Sequence, residues 1–279
     1  MINFLMLKIL YSFLALLPIY AEARDLKILV SDIDDTIKVS HVLDKDSTVA
    51  NAFTRKNSFL GMAELYQALK REKSVDQIYY LSNAPVWLMY PFHKKFLKRT
   101  GFPVDGLILR KDIRDRDHKV SALRHIILTQ KPSELLLIGD NGEQDTVKYH
   151  KIAKEFPQLK ITTYIHQAYS QIEFNGSRGQ LLEKNQIGFA TSIDLAANLF
   201  TKKMLSPHSY RQIMTKLAPL ALTEDDEIER GKPMMFPAWF DCRDFTLHSL
   251  PVPSIEEIDL VEKMEQRIRE RCAREPYED

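Results

Sequence analysis

Two aspartates stand two positions apart in the run Asp32-Ile33-Asp34-Asp35-Thr36, directly after an apolar stretch at 26–31. Alternate side chains of an extended chain share a face, so Asp32 and Asp34 can both reach a site at a strand's end while Ile33 turns into the core. One carboxylate can then attack an electrophile while the other moves protons, as nucleophilic and general acid-base catalysis require. A plainer reading stands beside it, because Asp-rich turns also follow strands where aspartate caps a helix. The run Gly139-Asp140-Asn141-Gly142-Glu143-Gln144-Asp145 supplies a second acidic cluster, again at the end of an apolar stretch, 134–138. A hard cation would bridge the two clusters. Magnesium prefers carboxylate, carbonyl and water oxygens, and without it a phosphate and these carboxylates would repel each other. Ser82 and Asn83, after the apolar run 77–81, offer a hydroxyl and an amide, and Lys119 opens a helical stretch before 134–138. All three suit a phosphoryl group. Singly, Ser82 reads as a helix cap and Lys119 as a solvated charge; their joint order at strand ends favours a site.

The elements that must position these residues follow from hydrophobic periodicity. Short continuous apolar runs at 26–31, 77–81, 106–109, 134–138 and 160–166 have the length and character of strands buried in a parallel sheet. Helical patterns at 61–71, 87–99, 119–129 and 144–155 lie between them. This alternation predicts an α/β fold, a Rossmann-like parallel sheet with helices on both faces. Ligands of such sheets bind beyond the carboxyl ends of the strands, where the acidic runs fall. From about residue 188 the alternation stops: helices are expected at 191–203 and 254–271, with an acidic run at 224–229 read as a solvated helix start. The apolar segment 234–240 is expected to dock on the sheet domain.

The ordered set Asp32-x-Asp34-x-Thr36, Ser82, Lys119 and Gly139-Asp140-x4-Asp145 resembles the signature motifs of the haloacid dehalogenase superfamily. That resemblance implies Asp32 as a nucleophile forming an aspartyl-phosphate and Asp34 as general acid and then base. Ser82 and Lys119 would be phosphoryl ligands, with Asn83 and Thr36 in the same phosphate-binding set. Magnesium would be held by Asp32, the Asp34 carbonyl oxygen, Asp140 and Asp145. The second aspartate points to a phosphatase rather than a dehalogenase. A closer resemblance, over residues 26–166, is to the catalytic domain of the actin-patch-type phosphatidate phosphatases and their bacterial relatives. It is carried by the stretches 31–38, 59–66 and 81–85, His118-Lys119, and Gly139-Asp140-Asn141-Gly142-Glu143. It implies a phosphorylated substrate, with phosphatidate or a similar lipid phosphate favoured. A nucleotide or nucleic-acid end as substrate, and a protein that binds phosphate esters without turnover, are the alternatives.

Access to the site bears on substrate size. Cap domains of the superfamily are inserted after the first motif or between the second and third. Here residues 38–58 leave room only for a flap, and 86–118 hold one helix and one strand. A minimal cap implies an open site that admits a bulky phosphate ester, including a lipid at a membrane surface. Arg55, Lys56, Arg110, Lys111, Arg114 and Arg116 lie near the expected mouth, but Asp112, Asp115 and Asp117 interleave with them, and a solvated loop is the expectation. The apolar run 87–92 is expected to be a buried helix start.

The chain of 279 residues is 44% hydrophobic and 28% charged with a formal net charge of +1, which allows a sizeable core and gives no global sign of nucleic-acid binding. Its first residues differ: Lys8 precedes an apolar run from 9 to 20, followed by Ala21-Glu22-Ala23. This predicts a signal peptide cut after Ala23 and an exported protein, periplasmic or secreted, with a retained N-terminal membrane anchor as the alternative. The expected organisation is a leader at 1–23, a phosphatase-like domain at 24–187 and a mostly helical extension at 188–279. Cys242 and Cys272 are the two cysteines. In an oxidising compartment they would pair as a disulfide stabilising by roughly 3 to 4 kcal/mol; two buried thiols are the alternative.

Overall fold

The structure is a computed structural model that describes residues 25–43, 57–225 and 232–277. The leader at 1–23, Arg55, Lys56 and residues 226–229 of the acidic run therefore lie outside the described residues.

Strands β1 (Lys27–Ser31), β2 (Gln77–Pro85), β3 (Gly106–Arg110), β4 (Glu134–Asp140), β5 (Lys160–His166) and β6 (Ile187–Phe189) form one sheet. Its order is β3-β2-β1-β4-β5-β6, and every pairing is parallel. Helices α1 (Met62–Arg71), α2 (Val86–Thr100), α3 (His118–Gln130) and α4 (Asp145–Glu155) are the crossovers, and α5 (Ser192–Thr201), α6 (Pro207–Leu222) and α7 (Ile258–Cys272) follow β6. The fold is therefore the expected α/β sheet with a helical C-terminal end.

Alternation along β1 and β4 sorts side chains onto two cores. Leu29, Leu136 and Ile138 share one core with residues of α1, α2, α5, α6 and α7, whereas Ile28, Val30, Leu135 and Leu137 share the other with α3 and α4. Burial on both faces explains why these strands read as unbroken apolar runs. The chain leaves β1 toward β2 and β3, then returns to β4 and proceeds the other way to β5 and β6. A switch of direction thus falls between β1 and β4, and a crevice opens beyond their carboxyl ends.

Three elements differ from the sequence reading. Strand β2 runs on to Pro85, past the expected end at 81, through a register irregularity between Ser82 and Pro85. Strand β6, at residue 187 where the first domain was expected to end, is three residues with a glycine in the middle, too short for a period-2 signal. Helix α6, where the sequence reading expected no helix, carries Pro207 and Pro219. Pro207 sits in the first turn, where its missing N–H costs nothing, and the Ser206 hydroxyl caps the same turn by accepting from Ser209 N at 3.1 Å.

The C-terminal segment is tied to the sheet domain by backbone pairing. Leu60 N donates to Met234 O at 2.7 Å, Met234 N to Ser58 O at 2.9 Å, and Asp241 N to Ala168 O at 3.0 Å. Phe236, Trp239 and Phe240 join the same core as Phe59 and Leu29. Glu224 follows the end of α6, and its carboxylate accepts the N–H groups of Met235 and Phe236. From α7, the fully buried Arg271 donates to the carbonyls of Ala238 at 3.0 Å and Phe240 at 2.6 Å. Cys242 and Cys272 form a disulfide across a separation of 30 residues, linking this segment to α7. Among the described residues no helix is long and apolar enough to cross a membrane.

Candidate active site

Asp32 follows β1 directly, and its N–H donates to Ile138 O of β4 at 2.8 Å, so the two strand ends are locked side by side. Asp140 ends β4, and Asp145 opens α4. Gly139 permits the close return of α4: a Cβ there would come within 2.4 Å of Asp145 Oδ2 and 2.7 Å of the Tyr149 ring. One carboxylate oxygen from each of Asp32, Asp140 and Asp145 lies within 4.8 Å of the others, and all three residues are buried.

Lys119, from the first turn of α3, reaches beneath this cluster and is itself fully buried. Its Nζ lies 2.6 Å from Asp32 Oδ1 and 2.5 Å from Asp145 Oδ1. Burial opposes the ammonium charge, but Asp145 and Asp32 outweigh it and hold Lys119 protonated. Burial, reinforced by the neighbouring carboxylates, pushes Asp32 and Asp140 well above the usual carboxylate range; Asp145 is also raised by burial, against the pull of Lys119. When all three carboxylates are ionised, Lys119 balances one charge and two remain in a low-dielectric site. That is the deficit a divalent cation would fill.

The donor atoms fit such an ion. Asp140 Oδ1 accepts the N–H groups of Gly142 at 2.6 Å and Glu143 at 3.1 Å, which fixes the carboxylate. Asp140 Oδ2 and Asp145 Oδ2 are buried with no protein partner. Oxygen donors of this kind suit magnesium, manganese or calcium rather than a soft metal.

Asp34 stands apart from the cluster, about a quarter exposed at the side chain. Its Oδ1 accepts from Ser40 Oγ at 2.7 Å and lies 3.6 Å from Lys38 Nζ, while its Oδ2 is 3.7 Å from His93 Nε2. Burial pushes the carboxyl up, but Lys38, His93 and the Ser40 hydroxyl together overcome that and leave it below the usual range. The pair at Asp32 and Asp34 is thus split into a carboxylate beside the buried cluster and one facing the opening.

A cavity of about 330 Å³ lies above these groups, with Asp32 and Asp34 on its floor and Ser82, Asn83, Arg110 and Glu143 around it. Ser82 Oγ accepts from Ala84 N at 3.0 Å, and Asn83 Nδ2 donates to Glu143 Oε2 at 2.7 Å, clasping the loop after β4 to the end of β2. Thr36 is fully buried, its hydroxyl has no protein partner, and it is not among the residues lining the cavity.

Sequence reasoning missed the hub beneath Asp34. Asp35 adopts φ 53°, a left-handed conformation that aspartate tolerates, and is fully buried. Its carboxylate accepts from Ser40 N and His41 N at 2.8 Å, Val42 N at 2.6 Å and the Tyr169 hydroxyl at 2.5 Å. Its carbonyl faces His166 Nδ1 at 2.6 Å. Burial raises the Asp35 carboxyl to about 6, against these hydrogen bonds. Asp35 therefore pins residues 40–42, which carry Ser40 to Asp34. The only sequence signal was a third aspartate in the run, and its partners are up to 134 positions away.

Comparison with known proteins follows the same stretch of chain. Residues 27–167 match the family model described as phosphatidate phosphatase APP1, catalytic domain. An uncharacterized protein of Schizosaccharomyces pombe is 26% identical over 155 residues, covering 51% of this chain and 25% of its own length. The phosphatidate phosphatase APP1 of Saccharomyces cerevisiae is 28% identical over 151 residues, 49% of this chain and 25% of its own length. The matched part of the chain thus spans about a quarter of the length of these curated relatives. Among solved structures, one of a Pnkp1/Rnl/Hen1 complex superposes with a TM-score of 0.37 at 15% identity, over 52% of this chain and 47% of that one, a likeness too low to bear on function.

Proposed function

This chain belongs to the family of the phosphatidate phosphatase APP1 catalytic domain, matched by its residues 27–167, and we propose that it is a magnesium-dependent phosphomonoesterase acting through an aspartyl-phosphate, with a lipid phosphate as substrate. The observation that carries the reading is the buried set Asp32, Asp140 and Asp145 around Lys119, of which Asp32 opens into a cavity at the switch point of the sheet. The ordered motifs that resemble the haloacid dehalogenase superfamily support the same chemistry.

Asp32 is the nucleophile: an oxygen of its carboxylate forms a bond to phosphorus as the bond to the ester oxygen breaks. Asp34, facing the opening, is ionised in the empty site; a phosphate ester arriving beside it opposes that charge and lets it take up a proton, which it gives to the leaving oxygen, and it then takes one from the water that attacks the aspartyl-phosphate, releasing phosphate and restoring Asp32. Lys119 beside Asp32 neutralises charge on the phosphoryl oxygens, and Ser82 and Asn83 on the cavity wall are placed to donate to them. Lys38, Ser40 and His93 hold the Asp34 carboxyl in its orientation. Asp32, Asp140 and Asp145 would hold a magnesium ion, which would supply the charge neutralisation that lets a phosphate dianion approach three carboxylates. The open cavity suits an ester whose alcohol is bulky, and its wall carries Val42, Pro85, Leu88 and Met89 as apolar surface for a lipid's glycerol end.

Phosphate release from phosphatidate in detergent micelles, compared with release from nucleotides under the same conditions, tests the substrate class. The lipid is expected to be turned over with the higher kcat/KM. Turnover of nucleotides with none of phosphatidate would overturn the lipid reading and favour the nucleotide alternative.

A further inference from the structure

Helix α2 starts at the mouth of the cavity, and its first turn contradicts the buried helix start expected at 87–92. Met89, His93, Phe96 and Leu97 provide the packing onto the protein. Trp87 is instead 74% exposed, Leu88 38% and Tyr90 39%. Along the outward side of the same helix, Lys94, Lys95, Lys98 and Arg99 are all exposed, and the helix contains no acidic residue. The loop between β3 and α3 adds to this rim. Arg110 lines the cavity, Ile113 is 61% exposed, and Lys111, Arg114 and Arg116 are exposed around it.

The aspartates of that loop offset only part of the field. Asp112 and Asp115 accept the backbone N–H groups of Arg114 and Asp117 at 2.9 and 3.0 Å, and Asp117 pairs with Lys151 at 3.7 Å. Across the helix and the loop, eight basic side chains stand against three aspartates. Exposed apolar residues scattered singly are ordinary, but Trp87, Leu88 and Tyr90 cluster at the start of α2, whose Leu88 lines the cavity, and Ile113 follows Arg110, another lining residue, by three positions.

We propose that the first turn of α2, together with Ile113 and the surrounding basic residues, docks this chain on a bilayer containing anionic lipid, with the cavity mouth toward the membrane. Charge complementarity selects this occupant, because the rim is basic and its apolar members are the interfacial types Trp and Tyr with aliphatic neighbours. The spacing agrees. Lys94 follows Trp87 by two helical turns, a rise of about 10 Å, which matches the depth of about 5 to 10 Å that interfacial apolar groups reach below the headgroups. With Trp87 and Leu88 at the acyl boundary, Lys94 and Lys95 stand level with the lipid phosphates. The proposal rests on the phosphatase reading only for what the membrane delivers to the cavity.

The test mixes the full chain with phosphatidylcholine vesicles with and without phosphatidylserine, neither of which is a phosphomonoester. Of the two tryptophans, Trp239 is 6% exposed and stacked on His41, so the vesicle-dependent signal belongs to Trp87. Serine-lipid vesicles are expected to shift Trp emission to the blue, brominated acyl chains to quench it, and Trp87→Phe to remove both responses. Replacing Lys94, Lys95 and Lys98 together by Ala is expected to weaken vesicle affinity by roughly a hundredfold, each lysine carrying about a fivefold factor, with hydrolysis of soluble p-nitrophenyl phosphate unchanged. Vesicle binding with unaltered Trp emission would mean capture through another segment, including the apolar leader, and would overturn the proposal. So would quenching by a single-stranded oligonucleotide but not by vesicles, or equal affinity for the triple variant. Hydrolysis of the soluble ester without any vesicle response would sink the docking surface alone; a vesicle response without hydrolysis of any ester would uphold it and sink the phosphatase reading.

Discussion

Asp32→Asn is expected to lower phosphate release by about 10⁴-fold or more while leaving the melting temperature at or above that of the wild type. The amide has the shape of the carboxylate but cannot form the acyl phosphate. Stability is expected to survive for an electrostatic reason. Burial and the neighbouring carboxylates raise Asp32 well above the usual range, so its ionised form is a liability to the fold at neutral pH. The sign is that of a carboxyl raised in the folded state: stability is lost as pH climbs from the unfolded value through the folded one, and a neutral amide removes that loss. Lys119 keeps Asp145 as its partner at 2.5 Å. A variant that is folded and inactive separates chemistry from architecture, and steady-state kinetics beside a thermal melt reads both. Activity within tenfold of the wild type would sink the assignment of the nucleophile.

Removing the metal is expected to have the second largest effect. Chelation should bring phosphate release to background, and magnesium should restore it. Magnesium should also stabilise the fold, because a site that binds the folded chain alone contributes about 2.7 kcal/mol at a hundred times its dissociation constant. Asp140→Asn isolates this effect. An Asn oxygen can still accept the N–H groups of Gly142 and Glu143 and keep the turn after β4, while an uncharged NH2 replaces the unpartnered Oδ2 and cannot ligate a cation. The wild type should melt at higher temperature as magnesium is added, and Asp140→Asn should not respond. An equal rise in both proteins would place the ion elsewhere.

What could be read from the residues followed the range of the interactions. Continuous apolar runs ending in acids were enough to anticipate β1 and β4, because strands buried on both faces need no alternation and the acids must lie where the sheet stops. Ser82 and Lys119 were legible for a related reason, Ser82 following the apolar run of β2 and Lys119 opening the helix after β3. The support beneath Asp34 was not. Lys38, Ser40 and His93 converge on it from a turn and a helix, and Asp35 reaches Tyr169 and His166 only through the fold. Helix α6, which carries Pro207 in its first turn and Pro219 in its interior, was not anticipated. Trp87 and Leu88 show the opposite failure. Apolar residues in a row read as core, and only their place on α2, beyond the end of β2, turns them outward.

The central claim, that Asp32 takes the phosphoryl group, is tested most directly by quenching the enzyme during turnover of a phosphomonoester, reducing it with borohydride and mapping its peptides by mass spectrometry. An aspartyl-phosphate at Asp32 would be converted to homoserine at that position alone, and only when substrate was present. An unmodified Asp32 during demonstrable turnover, or the same modification without substrate, would contradict the account.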